Sequence, residues 1–131
     1  MYLVDTDILI WAIRGRPDIV ETLSELKEKN SHCISTISIA EIFQNVFPTE
    51  LSYTEDFLAN FVTFPIEIDI AKQGGFYYQQ YAKNFRSLSL NDCLIAATAK
   101  EYNLMLLTLN VKHFPMEDIK SFDPLKKAAG N

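Results

Sequence analysis

Four polar residues stand at the ends or beginnings of apolar runs: Asp5 behind Tyr2-Leu3-Val4, Glu41 inside Ile37-Ser38-Ile39-Ala40-Glu41-Ile42-Phe43, Asp92 ahead of Cys93-Leu94-Ile95-Ala96-Ala97, and Asn110 just past Leu104–Thr108. A carboxylate beside buried surface is costly unless paired, and converging carboxylates raise one another's pKa unless a cation neutralises them. An all-oxygen donor set favours a hard divalent ion, magnesium or manganese, which retains waters able to attack phosphorus. Thr6 and Thr108 are placed to orient ligands or waters from behind, and Asp7 to contribute through a water. Each position also has a plainer explanation. Ser38 with Glu41 and Ser89 with Asp92 both fit a capping box, Asp5 or Thr6 can cap a helix, and Asn110 suits a turn.

Composition narrows the chemistry. The 131 residues, 48% hydrophobic and 22% charged, suffice for one core and are too few for two ordinary domains. Glycine occurs only at positions 15, 74, 75 and 130, so no strand-to-helix turn can cradle a dinucleotide or a nucleoside triphosphate in the usual way. Phosphate handling, where there is any, therefore has to use metal. Cys33 and Cys93 form neither a CxxC pair nor a disulfide framework, which points to a cytoplasmic chain without structural zinc. Twelve Lys and Arg against 17 Asp and Glu give a formal net charge of -5, which argues against a broad basic face but not against a metal site that attracts phosphates. Arg14, Arg16, Arg86 and Lys112 fall in loops or helix ends where they can hold RNA phosphates, or simply be solvated. The Phe76, Tyr77, Tyr78, Tyr81 patch can stack bases, although helical aromatic spacing more often marks a core or a dimer face.

The elements that must position these residues alternate. Tyr2–Val4 predicts a strand and Ile8–Ile13 a buried helix broken by Gly15 and Pro17. Pro17–Lys29 reads as an amphipathic helix and His32–Ser35 as a second strand. Helices are expected near 38–47 and 53–61, then a strand over 62–68 that Pro65 assigns to an edge. Helices near 70–83 and 90–102 follow, with strands over 104–108 and 119–122 and a loose polar tail over 123–131. Strands separated by helices imply an α/β fold, an open parallel sheet of about five strands covered on both faces, in a single domain spanning 1–131. In such a sheet ligands sit beyond the carboxyl ends of the strands, where Asp5, Glu41, Asp92 and Asn110 fall. The start of the chain meets Asp5 and Asp7 at once and no long uncharged apolar run follows, so neither a secretory signal nor a membrane span is expected.

Read in order, Leu3-Val4-Asp5-Thr6-Asp7-Ile8-Leu9-Ile10, Ser35-Thr36-Ile37-Ser38-Ile39-Ala40-Glu41-Ile42, Leu88-Ser89-Leu90-Asn91-Asp92-Cys93-Leu94-Ile95-Ala96-Ala97-Thr98-Ala99 and Leu107-Thr108-Leu109-Asn110-Val111-Lys112-His113-Phe114 resemble the signatures of PIN-domain ribonucleases, best those of the VapC toxin group. Each motif alone is weak; their order and coverage of nearly the whole chain make the resemblance specific. It implies a PIN-like fold in which Asp5, Glu41 and Asp92 form an acidic metal cluster, with Asn110 at a fourth position that is an acid in many relatives. His113 also stands where many relatives carry Asp, and is read as structural or RNA-facing. The resemblance further implies a Mg-dependent endoribonuclease (Mn as a substitute), toxin of a type II toxin-antitoxin pair, that hydrolyses RNA phosphodiesters with metal-activated water and leaves 5′-phosphate and 3′-hydroxyl ends. A cognate antitoxin and a homodimer are the partners it implies.

Two alternatives stand beside it. Asp5-Thr6-Asp7 at a strand end suggests a phosphotransfer enzyme of the haloacid-dehalogenase type with Asp5 as nucleophile, but Leu9 fills the position where that group has Thr or Val. The other alternative is a non-catalytic PIN-like binding module whose acids serve only as helix caps.

Overall fold

The computed structural model describes residues 1–126. Five short strands, β1 (Tyr2–Val4), β2 (His32–Ser35), β3 (Val62–Phe64), β4 (Met105–Leu107) and β5 (Lys120–Phe122), form one sheet in the order β3-β2-β1-β4-β5, with every pair parallel. Six α-helices connect them: α1 (Thr6–Ile13), α2 (Pro17–Lys29), α3 (Thr36–Phe43), α4 (Leu51–Leu58), α5 (Ile68–Tyr81) and α6 (Leu90–Glu101). β3 lies at the edge, as Pro65 immediately after it requires.

The two-residue alternation of the strands sorts the core into two layers. Leu3, Cys33 and Leu106 point to one face and pack with Ile70, Tyr77, Cys93, Ala96 and Ala97 of α5 and α6. Val4, Ile34 and Leu107 point to the other and pack with Ile8, Leu9, Ile19, Leu23, Ile42 and Leu58 of α1 to α4. The central strands are therefore buried on both faces, which is why they read as unbroken apolar runs.

Boundaries differ from expectation where a cap overrides periodicity. α3 begins at Thr36, because the Ser35 side chain accepts from the Ile37 amide; Ser38 thus lies inside the helix, fully buried, and is not its N-cap. It ends at Phe43, and a short 3₁₀ turn at Pro48–Glu50 leads into α4, which starts ahead of Tyr53 and stops at Leu58. α5 likewise begins at Ile68, ahead of the expected start. The tail expected to be loose from Asp123 is held over its first residues: the Asp123 carboxylate accepts from the Leu125 amide, and Leu125 packs on the core. The rest of that expectation, 127–131, lies outside the described residues. Among the described residues no helix is long and apolar enough to cross a membrane.

Candidate functional site

The sheet order reverses at β1. From β1 the chain moves first to β2 on one side and later to β4 on the other, so the crevice beyond the carboxyl ends of β1 and β4 is the switch point where an open α/β sheet binds ligands. Asp5 follows β1 and Thr108 follows β4. The Asp5 amide donates to Leu107 O at 2.9 Å and prolongs the ladder by one step, which brings the two side chains face to face.

Asp5 is buried at 6% exposure. Its Oδ1 accepts from the Thr6 amide at 2.8 Å as the N-cap of α1, and its Oδ2 accepts from the Thr108 hydroxyl at 2.8 Å. Thr108 Oγ1 in turn accepts from the Asn110 amide at 3.0 Å. Asp7, one residue into the helix, accepts from the Ile8 amide at 2.7 Å, the Leu109 amide at 3.2 Å and Asn110 Nδ2 at 2.7 Å. On the other side the Thr6 hydroxyl donates to Glu41 Oε1 at 2.7 Å and lies 2.8 Å from Ser38 Oγ. With its single proton committed to the carboxylate, Thr6 accepts from Ser38.

Asp92 occupies the third position of α6 and closes a capping box there. It accepts from the Ser89 amide at 3.2 Å, while its own amide donates to Ser89 Oγ at 3.1 Å. The capping explanation thus holds for Asp5 and Asp92, and fails for Glu41, whose helix is capped by Ser35. Capping does not offset the burial of the acids. Burial, then the charges of Asp7 and Asp92, push the Asp5 carboxyl up to about 8 against the hydrogen bonds from Thr108 and Thr6 that lower it. Burial likewise raises the Asp7 carboxyl from its ordinary value, although the Ile8, Asn110 and Leu109 donors oppose it.

The structure thus joins Asp5, Asp7, Thr108 and Asn110 in one hydrogen-bonded set, ties it to Thr6, Ser38 and Glu41, and sets Asp92 within electrostatic reach of Asp5. The set has no Lys or Arg counter-ion; the ion pairs among the described residues are Arg16–Asp18 and Lys100–Asp118. As they stand, no three acidic, His or Cys side chains among the described residues converge closely enough to ligate one ion, since Glu41 is turned to Thr6, Asp92 to Ser89 and Asp7 to Asn110. The donors are nevertheless all oxygen, no basic side chain among the described residues is paired with them, and each Asp5 oxygen has a lone pair beyond its one hydrogen bond, which is the chemistry a hard divalent cation requires.

Of the basic residues expected near the site, Arg14 borders a groove that Glu41 also lines, together with Ile10, Ile13, Ile42 and Thr54. Lys112 and His113, in the 3₁₀ turn Val111–His113, border a separate groove with Asn110. Arg16 is instead held by Asp18, and Arg86 is exposed in the loop before α6; neither is hydrogen-bonded to the acids. The sequence assigns Ser38 only to a cap and Asp7 only to a contact through water, and neither reading gives the direct hydrogen bonds seen here. Ser38 stands one turn before Glu41, and Asp7 two residues from Asp5, so helical spacing and proximity were the available signals.

The PIN domain family model matches residues 2–115. The chain is 36% identical over 116 residues to Ribonuclease VapC10 of Mycobacterium tuberculosis, covering 88% of this chain and 87% of that protein. It is 35% identical over 117 residues to Ribonuclease VapC19 of the same organism, covering 88% and 94%. Among solved structures, a toxin-antitoxin complex from Klebsiella pneumoniae superposes with a TM-score of 0.75 at 28% identity, over 95% of this chain and 98% of that one. VapBC2 from Rickettsia felis, bound to a DNA fragment from its promoter, shares the fold with a TM-score of 0.80 at 24% identity, over 93% and 97%.

Proposed function

The chain belongs to the PIN domain family, and from that premise we propose that it is a metal-dependent endoribonuclease of the VapC kind, the toxin of a toxin-antitoxin pair. The observation that carries this reading is the crowding of carboxyl groups at the switch point: a buried Asp5 beside Asp7 and Asp92, with no basic partner among the described residues, so that it keeps its proton up to about pH 8.

Asp5, Glu41 and Asp92 would hold the ion, Mg²⁺ or in its place Mn²⁺. The ion, when bound, supplies positive charge to the scissile phosphate and acidity to the attacking water. Thr108 and the Thr6 amide fix the Asp5 carboxylate from behind, so that it need not be ordered when substrate arrives, whereas Glu41, held toward Thr6, and Asp92, held toward Ser89, would have to turn toward Asp5 to share the ion. Asn110, held by Asp7, presents its side-chain carbonyl to a water, and Glu41 or Asp92 accepts that water's proton. Attack by water leaves the ribose hydroxyl unused, so products carry 5′-phosphate and 3′-hydroxyl ends.

The antitoxin reaches this acidic cleft with a basic segment, whose Arg or Lys occupies the electrostatic place of the metal; this binding weakens with salt. The toxin works in the cytoplasm as a homodimer, and sedimentation showing a strict monomer at high concentration overturns the dimer. RNA cleavage titrated with Mg²⁺ tests the central claim. Wild-type protein should cut only with metal, and Asp5→Asn and Asp92→Asn should abolish cutting while far-UV circular dichroism stays unchanged; full activity in either variant sinks the assignment.

The caps made by Asp5 and Asp92 favour one second reading, a PIN-like binding module without catalysis. Millimolar Mg²⁺ separates the two, because a cation site raises Tm through linkage and bare caps do not.

A further inference from the structure

α1 is only eight residues long, yet it carries a large aromatic side chain outside both core layers. Ile8, Leu9 and Ala12 are buried, whereas Trp11 is 40% exposed. Asp7, Trp11 and Arg14 follow one another at i, i+4 and i+7 and so share one face of the helix. With 1.5 Å of rise per residue, Trp11 stands about 6 Å along the axis from Asp7 and Arg14 about 10 Å. The stripe begins in the acidic set and leads out of it.

The helix end arranges two cations on the indole. Gly15, at φ 78°, is the left-handed residue of a Schellman turn: its amide donates to Ala12 O and the Arg16 amide donates to Trp11 O, both at 3.0 Å. This turn doubles the chain back, so the Arg16 guanidinium lies 5.2 Å from the Trp11 ring centroid and the Arg14 guanidinium 5.8 Å. The two differ in freedom. Arg16 is pinned by Asp18 through Nε at 2.7 Å and Nη2 at 3.0 Å, while Arg14 has no ion pair among the described residues and borders the groove that Glu41 lines.

An exposed aromatic ring flanked by a tethered and an untethered cation, beside an acidic site, is the chemistry that receives single-stranded nucleic acid: a base stacks on the ring and a guanidinium takes the phosphate. We propose that Trp11 and Arg14 form a subsite for an unpaired base of the RNA next to the scissile phosphodiester, the base stacking on the indole as Arg14 leaves the ring for the adjoining phosphate. The inference rests on the ribonuclease reading above and adds to it a requirement for single-stranded substrate at this position, because a paired base cannot leave its stack to reach the ring.

Trp11 is the sole tryptophan of the chain, so its fluorescence reports the subsite directly. Full-length protein in EDTA and low salt, where no cleavage occurs, is titrated with a short single-stranded RNA and with the duplex of the same sequence, binding being followed separately by anisotropy of a dye on the RNA. Saturable quenching by the single strand and none by the duplex is expected. In Mg²⁺, Trp11→Ala should raise KM for cleavage roughly tenfold with kcat within about twofold, Trp11→Tyr should recover most of that loss, and Arg14→Ala should lower the salt dependence of binding by about one phosphate contact. Single-strand binding without quenching, or an unchanged KM in Trp11→Ala, overturns the subsite; should that variant misfold, the wild-type fluorescence decides. A wild type that cuts no RNA in Mg²⁺ sinks the ribonuclease reading instead, and the quenching arm still judges whether a base reaches Trp11.

Discussion

At the scale of the residue, the acidic site trades stability for function. Burial, Asp7 and Asp92 raise the Asp5 carboxyl from its ordinary 3.8 to about 8, so the folded chain holds this proton more tightly than the unfolded one. The sign follows from linkage: the contribution of Asp5 to the stability of the metal-free protein is fully present below pH 4 and is lost as pH rises through 8. Asp5→Asn removes the charge but keeps an acceptor for the Thr6 amide, so in EDTA the variant should melt above wild type at pH 8, with the difference vanishing near pH 4, while RNA cleavage is lost. Melting curves across that range check it; equal Tm values at pH 8 count against the crowded carboxylates. Asn110 gives a second contrast. Its Nδ2 donates to Asp7 at 2.7 Å, so Asn110→Asp replaces a hydrogen bond by a carboxylate pair and should lower Tm by a few degrees in EDTA, yet bind Mg²⁺ more tightly and cleave at least as well. Asn110→Ala should lower both Tm and activity without any gain in metal affinity. A turn-forming role alone predicts no change in metal affinity for Asp, so paired Mg²⁺ titrations of the two variants separate the accounts.

At the scale of the element, the close approach of α5 and α6 sets where Asp92 stands. A Cβ built on Gly74 meets Leu94 Cδ2 at 2.6 Å, its Cγ at 3.2 Å and its Cα at 3.3 Å. The methyl group can turn away, but the backbone atom cannot, so Gly74→Ala should force the helices apart. An overpacking cost of about 1–3 kcal/mol, offset by about 1 kcal/mol of helix propensity, leaves a net loss that lowers Tm by a few degrees. Gly75→Ala has nothing within 4 Å of its Cβ and should gain roughly 0.5–1 kcal/mol from propensity alone. Urea unfolding of the two neighbours checks both signs at once. This contact was illegible in the sequence, because tandem glycines in a helix do not say which one faces a neighbour. The strands were legible for the opposite reason: Leu3-Val4, Cys33-Ile34 and Leu106-Leu107 each feed both core layers, so continuous apolarity was itself the signal. The start of α3 was misread because Ser35 and Ser38 are equally good caps on paper. Only the packing of Ser38 against Thr6 decides between them, and that contact spans 32 residues of chain.

At the scale of the whole molecule, a net charge of -5 has to be reconciled with a polyanionic substrate, and the acids of the site make the conflict sharper. The order of the motifs along the sequence was enough to place Asp5, Glu41, Asp92 and Asn110 at one rim of the sheet, but not to show that burial there keeps a proton on Asp5. A cation that binds the ionised Asp5 must displace the proton held with a pKa near 8, so metal affinity and pH are coupled. The direction is fixed: raising pH from 6 to 8 strips the proton and tightens Mg²⁺ binding, by up to about tenfold per pH unit for one proton displaced, with a plateau above pH 8. Calorimetric Mg²⁺ titrations at pH 6, 7 and 8, each in two buffers of different ionisation enthalpy, measure both the affinity and the protons released. Close to one proton should appear at pH 6 and about half as many at pH 8, and Asp5→Asn should abolish release together with the pH dependence. Metal binding that is equally tight at pH 6 and 8 would mean that Asp5 is ionised throughout and that the charge crowding at the switch point is already relieved by the protein itself.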